Sequence, residues 1–187
     1  MTRTDTGKRT RLVQAAVKVV HEQGFHRTTL ADIAREAEVP LGNVYYYFKT
    51  KDDLGQALIE QQASHQADLQ RHWETHADPR AEIDSFITMT LDNRDSLARS
   101  GCPMGTLCAE LGKHGGPLAH SASDVFAGIL DWLTERFGAL ETNQEPRQLA
   151  VHLLSALQGA SLLAHSFGDP AIVEGEAQRL RRWLVAL

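Results

Sequence analysis

Between Thr28 and Lys51 the chain reads TTLADIAREAEVPLGNVYYYFKTK, and this stretch admits few folds. Leu30, Ile33, Ala34 and Ala37 recur at helical spacing, so a short helix is predicted from Leu30 to about Ala37. Thr28 or Thr29 is placed to cap its open amides. A second short helix is predicted from about Pro40 to Phe48. Proline fits its first turn, where the missing N–H has no partner to lose. Val44 and Phe48 stand four apart and point inward. Leu41, Gly42, Asn43, Tyr45, Tyr46 and Tyr47 are left to the other sides, with Lys49 and Lys51 just beyond.

The second helix is chemically suited to a DNA major groove. Gly42 lets the backbone come close, and Asn43 can donate and accept at a base edge. Tyrosine hydroxyls and lysine ammoniums can reach phosphates. The same residues also fit a tyrosine-rich turn packed inside a helical protein.

The wider pattern bears on that choice. From Gly24-Phe25 through TTLADIA, VPLGNVYYYF and KTKDDL, the elements stand in an order and spacing that resembles the DNA-binding domain of the TetR family of transcriptional repressors. The resemblance covers about residues 8–58. It implies an all-α chain of about nine helices. A three-helix helix-turn-helix domain would occupy residues 1–51 and a helical effector-binding and dimerisation domain residues 52–187. It places Thr28 or Thr29 on phosphate, Gly42 and Asn43 at base edges or close backbone, Tyr45 and Tyr46 on base or phosphate, and Lys51 on phosphate. Three positions depart from the pattern. Leu41 replaces a polar or basic residue and offers a contact to a thymine methyl instead. Pro40 replaces a capping Ser or Thr, and Tyr47 stands where His is common.

Charge is distributed to match. The 187-residue chain carries a net −5, which is unpromising for a DNA binder. Residues 1–51 nevertheless hold nine Lys or Arg against five Asp or Glu, and the rest ten against nineteen. A basic head on an acidic body fits phosphate contact at one end. Arg3, Lys8, Arg9 and Arg11 could extend that contact from a loose arm over residues 1–7 and the helix after it.

The remaining helices follow from apolar spacing and Gly/Pro punctuation. The first is predicted over about Lys8–Gln23, with Leu12, Ala16, Val19 and Val20 buried, Gly24 ending it and Phe25 plugging the three-helix core. A fourth runs from Lys51 or Asp52 to about Glu74 and, by the resemblance, is the lever between the two halves. Then come His76–Arg80 as a loop, a fifth helix over about Ala81–Ala98, a short sixth to Leu111, and a glycine-rich break at 112–117. A seventh spans about Ser121–Leu140, an eighth about Pro146–Phe167 and a last about Ala171–Leu187. The eighth is apolar on more than one side and needs a partner for its second face. The resemblance supplies one: a homodimer through the seventh and eighth helices, fitting a pseudo-palindromic double-stranded operator. A fully intramolecular core is the alternative.

The resemblance also implies an unidentified small apolar or amphipathic effector. Phe86, Met104, Leu107, Cys108, Leu111, Phe126, Trp132, His152 and His165 are the candidate lining, though for each one taken alone plain core is the favoured reading. Cys102 lies beside an expected helix start, where reactive thiols are found, so a redox or electrophile sensor using Cys102 and Cys108 is a second reading. Two small buried apolar residues are the plainer one. His65, His72 and His76 share metal-ligand spacing but lack a matched cysteine or carboxylate set, so no metal or cofactor is expected. The chain shows no nucleophile elbow, phosphate-cradling loop or zinc spacing, so it is read as no enzyme. A helical interaction protein without a DNA role is the alternative from another class. No apolar run spans a membrane and no signal-peptide core opens the chain, so a cytoplasmic protein is expected.

Overall fold

The computed structural model describes residues 3–76 and 78–187. The side chains of residues 3–6 lie outside the described part, and with them the expected contact through Arg3. Among the described residues there are ten α-helices and one 3₁₀ turn. They are α1 (Arg3–Gln23), α2 (Leu30–Glu36), α3 (Leu41–Tyr47), α4 (Lys51–Trp73), the 3₁₀ turn (Glu74–His76), α5 (Pro79–Asp92), α6 (Arg94–Ser100), α7 (Pro103–Gly112), α8 (Pro117–Gly138), α9 (Pro146–Phe167) and α10 (Ala171–Val185). The all-α expectation holds.

Two differences from the sequence reading have local causes. The first helix begins at Arg3, before the expected start at Lys8, so most of the arm is helical. The expected fifth helix is two, α5 and α6, broken at Asn93. There the Asn93 side-chain amide donates to the Met89 carbonyl at 2.7 Å, competing with the backbone for an acceptor that a continuous helix would need. This break accounts for ten helices where about nine were expected.

The chain divides into two compact units, Met1–Ser64 with Pro103–Val125, and His65–Cys102 with Phe126–Leu187. The first contains α1–α3, the start of α4, α7 and the start of α8. Its core is built from Leu12, Ala16, Val20, Phe25, Ile33, Val44, Phe48, Leu54 and Leu58, all buried. Gly24 ends α1 with φ +86°, a conformation that glycine adopts without steric cost. An added Cβ there would also lie 2.6 Å from the Glu110 carboxylate on α7.

Glu110 binds the turn after α1 in two ways. The His26 amide donates to its Oε2 at 3.0 Å, and the His26 ring Nε2 lies 3.4 Å from its backbone carbonyl. The His26 and His114 rings meet edge to face at 4.4 Å. At Gly55 a Cβ would come within 2.9 Å of the Phe25 ring and 3.0 Å of Leu118, so glycine lets α4 settle against both.

The second unit is organised around α5, α9 and α10, with the ends of α4 and α8. Trp73, Phe86 and Trp132 pack ring to ring at 5.6–6.5 Å. Ile83, Ile87, Leu133, Phe137, Leu153, Leu157, Leu180 and Leu184 fill the rest of this core. One charged group is buried with them. Glu82 accepts from Arg136 Nη1 at 3.0 Å, and Arg136 also faces Glu74 at 3.9 Å and pairs with Glu135. Burial works against the Arg136 charge, but Glu82 and the other two carboxylates outweigh it and hold its pKa above the ordinary guanidinium value. Glu74 in turn accepts from the Trp132 indole at 2.9 Å.

Candidate nucleic-acid interface

The helix-turn-helix is locked by its own side chains. Thr29 is the N-cap of α2: its hydroxyl accepts from the Asp32 amide at 3.1 Å, while the Asp32 carboxylate accepts from the Thr29 amide at 3.0 Å. The Thr29 hydroxyl also donates to Asp32 at 2.6 Å, and Arg35 donates to the other carboxylate oxygen at 2.7 Å. The Thr29 hydroxyl and amide, with Arg35, pull the Asp32 pKa down to about 2. The turn then passes through Glu38 at φ +53°, and the Val39 amide donates back to the Ala34 carbonyl at 2.9 Å. A second reciprocal cap opens α4, with Asp53 accepting from the Lys49 and Thr50 amides at 3.0 Å and the Asp53 amide donating to Thr50 Oγ1 at 3.0 Å. Both ends of the segment carrying α3 are therefore fixed.

These contacts give the two threonines different partners within the chain. Thr28 is only 1% exposed, and its hydroxyl donates to the Gly24 carbonyl at 2.7 Å. Its side chain faces the core. Thr29 is exposed, but both of its donors already serve Asp32. A phosphate accepts only, so it would have to displace an ionised carboxylate to bind there.

The exposed side chains of the motif's second helix lie on α3. Val44 and Phe48 are buried, as their spacing predicts. Leu41 (41% exposed), Tyr45 (49%) and Tyr46 (68%) stand out from the opposite side. Gly42 is exposed and a Cβ there would meet nothing within 4 Å, so its backbone is open to close approach. Asn43 and Tyr47 are half-buried, and the Tyr46 and Tyr47 rings meet edge to face at 5.0 Å. Pro40 caps α3 without a side-chain hydrogen bond, as its chemistry requires.

The flanking cations divide into two roles. Lys51 donates to the His26 carbonyl at 3.0 Å and lies 4.7 Å over the Phe25 ring. Burial lowers its pKa from the ordinary lysine value. In the free chain Lys51 braces the turn before α2, which leaves two ammonium donors for other partners. Lys49 is exposed and donates to the Tyr45 carbonyl at 2.9 Å, which sets its charge against the C-terminal end of α3. Arg9, also exposed, lies 5.4 Å over the Phe48 ring. Sequence reasoning carried the phosphate contact onto Lys51, set Lys49 just beyond the helix and counted Arg9 among the cations of the arm and first helix, but did not pair Lys49 with Tyr45. The i to i+4 relation of Tyr45 and Lys49 was the available signal.

The candidate effector residues are divided between the two units. Met104, Leu107, Cys108 and Leu111 belong to the first compact unit, and Phe86, Phe126, Trp132, His152 and His165 to the second. Phe86 and Trp132 are buried against each other in the second core. His152 and His165 are both exposed on α9. His152 stacks edge to face on Trp183 at 4.8 Å, and His165 Nδ1 lies 3.4 Å from the Ala98 carbonyl. The cysteines belong to different units. Cys102 packs near Leu97, Ala98, Ala164 and Val173, with the Gln158 amide donating to its Sγ at 3.5 Å. The Cys108 thiol donates to the Ala122 carbonyl at 3.3 Å. His72 and His76 meet as rings at 6.4 Å, and among the described residues no group of three His, Cys, Asp or Glu could hold a metal ion. No helix among them is long and apolar enough to cross a membrane.

A helix-turn-helix braced at both ends, with an open and uncharged second helix and cations at its edge, defines a DNA-binding regulator. Comparison with known proteins makes this specific. Residues 12–58 match the bacterial regulatory proteins of the tetR family, and residues 79–175 match the LmrA/YxaF-like transcriptional regulator C-terminal domain. The chain belongs to the TetR family of transcriptional regulators, whose members bind operator DNA and act as dimers rather than as enzymes.

It is 36% identical to the fatty acid metabolism regulator protein of Bacillus subtilis, over 93% of this chain and 75% of that one. It is 28% identical to the transcriptional regulator AcuR of Cereibacter sphaeroides, over 82% of this chain and 74% of that protein. Among solved structures, a regulatory protein TetR from Rhodobacter sphaeroides superposes with a TM-score of 0.81 at 25% identity, covering 92% of this chain and 96% of the other.

Proposed function

We propose that this regulator is a repressor that binds a pseudo-palindromic operator as a homodimer and is released by a small apolar or amphipathic effector. The observation that carries the DNA half of the proposal is α3 itself. Leu41, Gly42, Tyr45 and Tyr46 are open to a groove, with Asn43 and Tyr47 at its sides and Lys49, Lys51 and Arg9 at its edges. In this reading the head is residues 1–51 and the effector and dimer functions lie in 52–187. Lys49 and Arg9 supply phosphate contacts that position α3, and α3 supplies readout.

The dimer reading rests on α9. Val151, Leu162, Leu163 and Phe167 are exposed along that helix, Phe167 at 73%. An apolar face of this kind is covered by a second copy through α8 and α9, as a C2 pair with two heads for two half-sites. The effector acts within residues 52–187, against apolar walls of the kind small-molecule sites use. It releases DNA only so far as it prefers the conformer with weaker operator affinity. Both thiols are half-buried and hydrogen-bonded, which favours packing over redox sensing.

The test is fluorescence anisotropy on the DNA upstream of the protein's own gene, against scrambled DNA, at two salt concentrations. Tighter binding to the upstream fragment that persists at higher salt, and that Tyr45→Ala weakens, is the expected result. Equal and steeply salt-dependent binding to both leaves only the phosphate contribution and defeats the self-regulating operator.

A further inference from the structure

Exposed large apolar side chains are concentrated in this chain. Apart from those on α9 and Val185, the ones described are Leu41, Tyr45 and Tyr46 on the seven residues of α3. Leu41 and Tyr45 stand one helical turn apart, so they share a face. No Lys, Arg, Asp or Glu occurs from Pro40 to Phe48. The nearest following cation, Lys49, is turned to the Tyr45 carbonyl at the C-terminal end of the helix.

This surface lacks the usual means of reading guanine, an arginine or lysine fork to O6 and N7. It offers instead what matches the one apolar group on a major-groove edge, the thymine 5-methyl. A solvated apolar patch beside two cations is otherwise unfavourable on a surface that must meet a polyanion. Against thymine methyls it gains contact without leaving a buried charge unpaired.

We propose that α3 reads its half-site chiefly through thymine methyl groups, with Leu41 and Tyr45 as the contacting side chains. The inference rests on the operator-binding reading and goes on to name what that surface selects. A methyl removed from water contributes about 0.8 kcal/mol, so each contacted methyl accounts for roughly a fourfold change in affinity.

The experiment begins with selection of duplexes from a random library by the full-length protein. Thymine is expected at fixed positions in each half-site. The selected duplex is then made with uracil in place of those thymines, which deletes the methyl and keeps the pairing. Anisotropy titration should show about fourfold weaker binding per contacted methyl. Thymines outside the half-sites should be indifferent to the exchange. Leu41→Ala and Tyr45→Ala, both at exposed positions, should each reduce the thymine-over-uracil ratio toward one at a separate position, with unchanged helical circular dichroism.

A reproducible half-site without thymine, or equal affinity for thymine and uracil duplexes, overturns this inference and leaves the operator-binding function standing. Full discrimination retained in both variants does the same. Failure to select any sequence, with steeply salt-dependent binding to all, overturns the inference and the function together.

Discussion

Arg136→Met is the perturbation whose cost the structure specifies best. The Glu82 side chain is 5% exposed and that of Arg136 17%, with Nη1 and Oε2 3.0 Å apart. Methionine keeps most of the arginine stem and removes the guanidinium, so the core loses little packing while Glu82 loses its ion-pair partner. Breaking a buried pair from one side costs about 3–5 kcal/mol, because the remaining charge stays desolvated. Arg136 is partly hydrated, so the lower end applies, about 3 kcal/mol. For a chain of this size that lowers the melting temperature by roughly 6–12 °C.

Removing both charges is a different perturbation. Glu82→Leu with Arg136→Met replaces the pair by apolar groups, a change that is often neutral or stabilising. The double variant should therefore recover at least half of the loss. Thermal melts of wild type, both single variants and the double, at one protein concentration, complete the cycle. A loss below about 1 kcal/mol for Arg136→Met, or a double variant less stable than that single one, would refute the buried-charge reasoning.

Three further outcomes follow from separate features. Asp32 is held at a pKa of about 2 in the fold, below its ordinary 3.8, so its contribution is present above pH 4 and is lost as pH falls toward 2. Asp32→Ala should accordingly be less stable than wild type at pH 6, with the gap closing in acid titrations between those values. Lys49→Ala should weaken DNA binding alike on operator and scrambled sequence and reduce the slope of log K against log salt by about 0.9; an unchanged slope removes Lys49 from the phosphate contacts. Leu162→Lys, at a position 65% exposed in the single chain, should shift the protein from dimer to monomer in sedimentation without loss of helicity. A dimer of wild-type strength would move the interface off this face of α9.

Helix positions were legible where apolar spacing and terminators agreed. The Pro146–Phe167 helix is delimited by proline at one end and a left-handed Gly168 at the other, and both are visible as letters. The break at Asn93 was not, because it depends on where one amide side chain turns. On α3 the inward pair and the outward residues followed from a period of 3.6. The two threonines could not be resolved in the same way. Either can cap a helix, and only the fold shows Thr28 turned to the Gly24 carbonyl and Thr29 engaged with Asp32. Effector residues were the least legible. An apolar residue at helical spacing looks the same whether it faces a ligand or, like Trp132, two other aromatic rings.

The contacts of Glu110, His114 and Leu118 with the turn after α1 and with Gly55 have a practical meaning for anyone building hybrid regulators. A graft that moves residues 1–51 onto another sensor leaves behind residues 52–64 of α4, α7 and the start of α8, which belong to the same compact unit. The transplanted head would arrive without the carboxylate that its His26 amide requires, and with Phe25 uncovered on one side. A portable reading head from this chain is therefore discontinuous. Its second piece, residues 103–125, must travel with residues 1–64 or be rebuilt in the host.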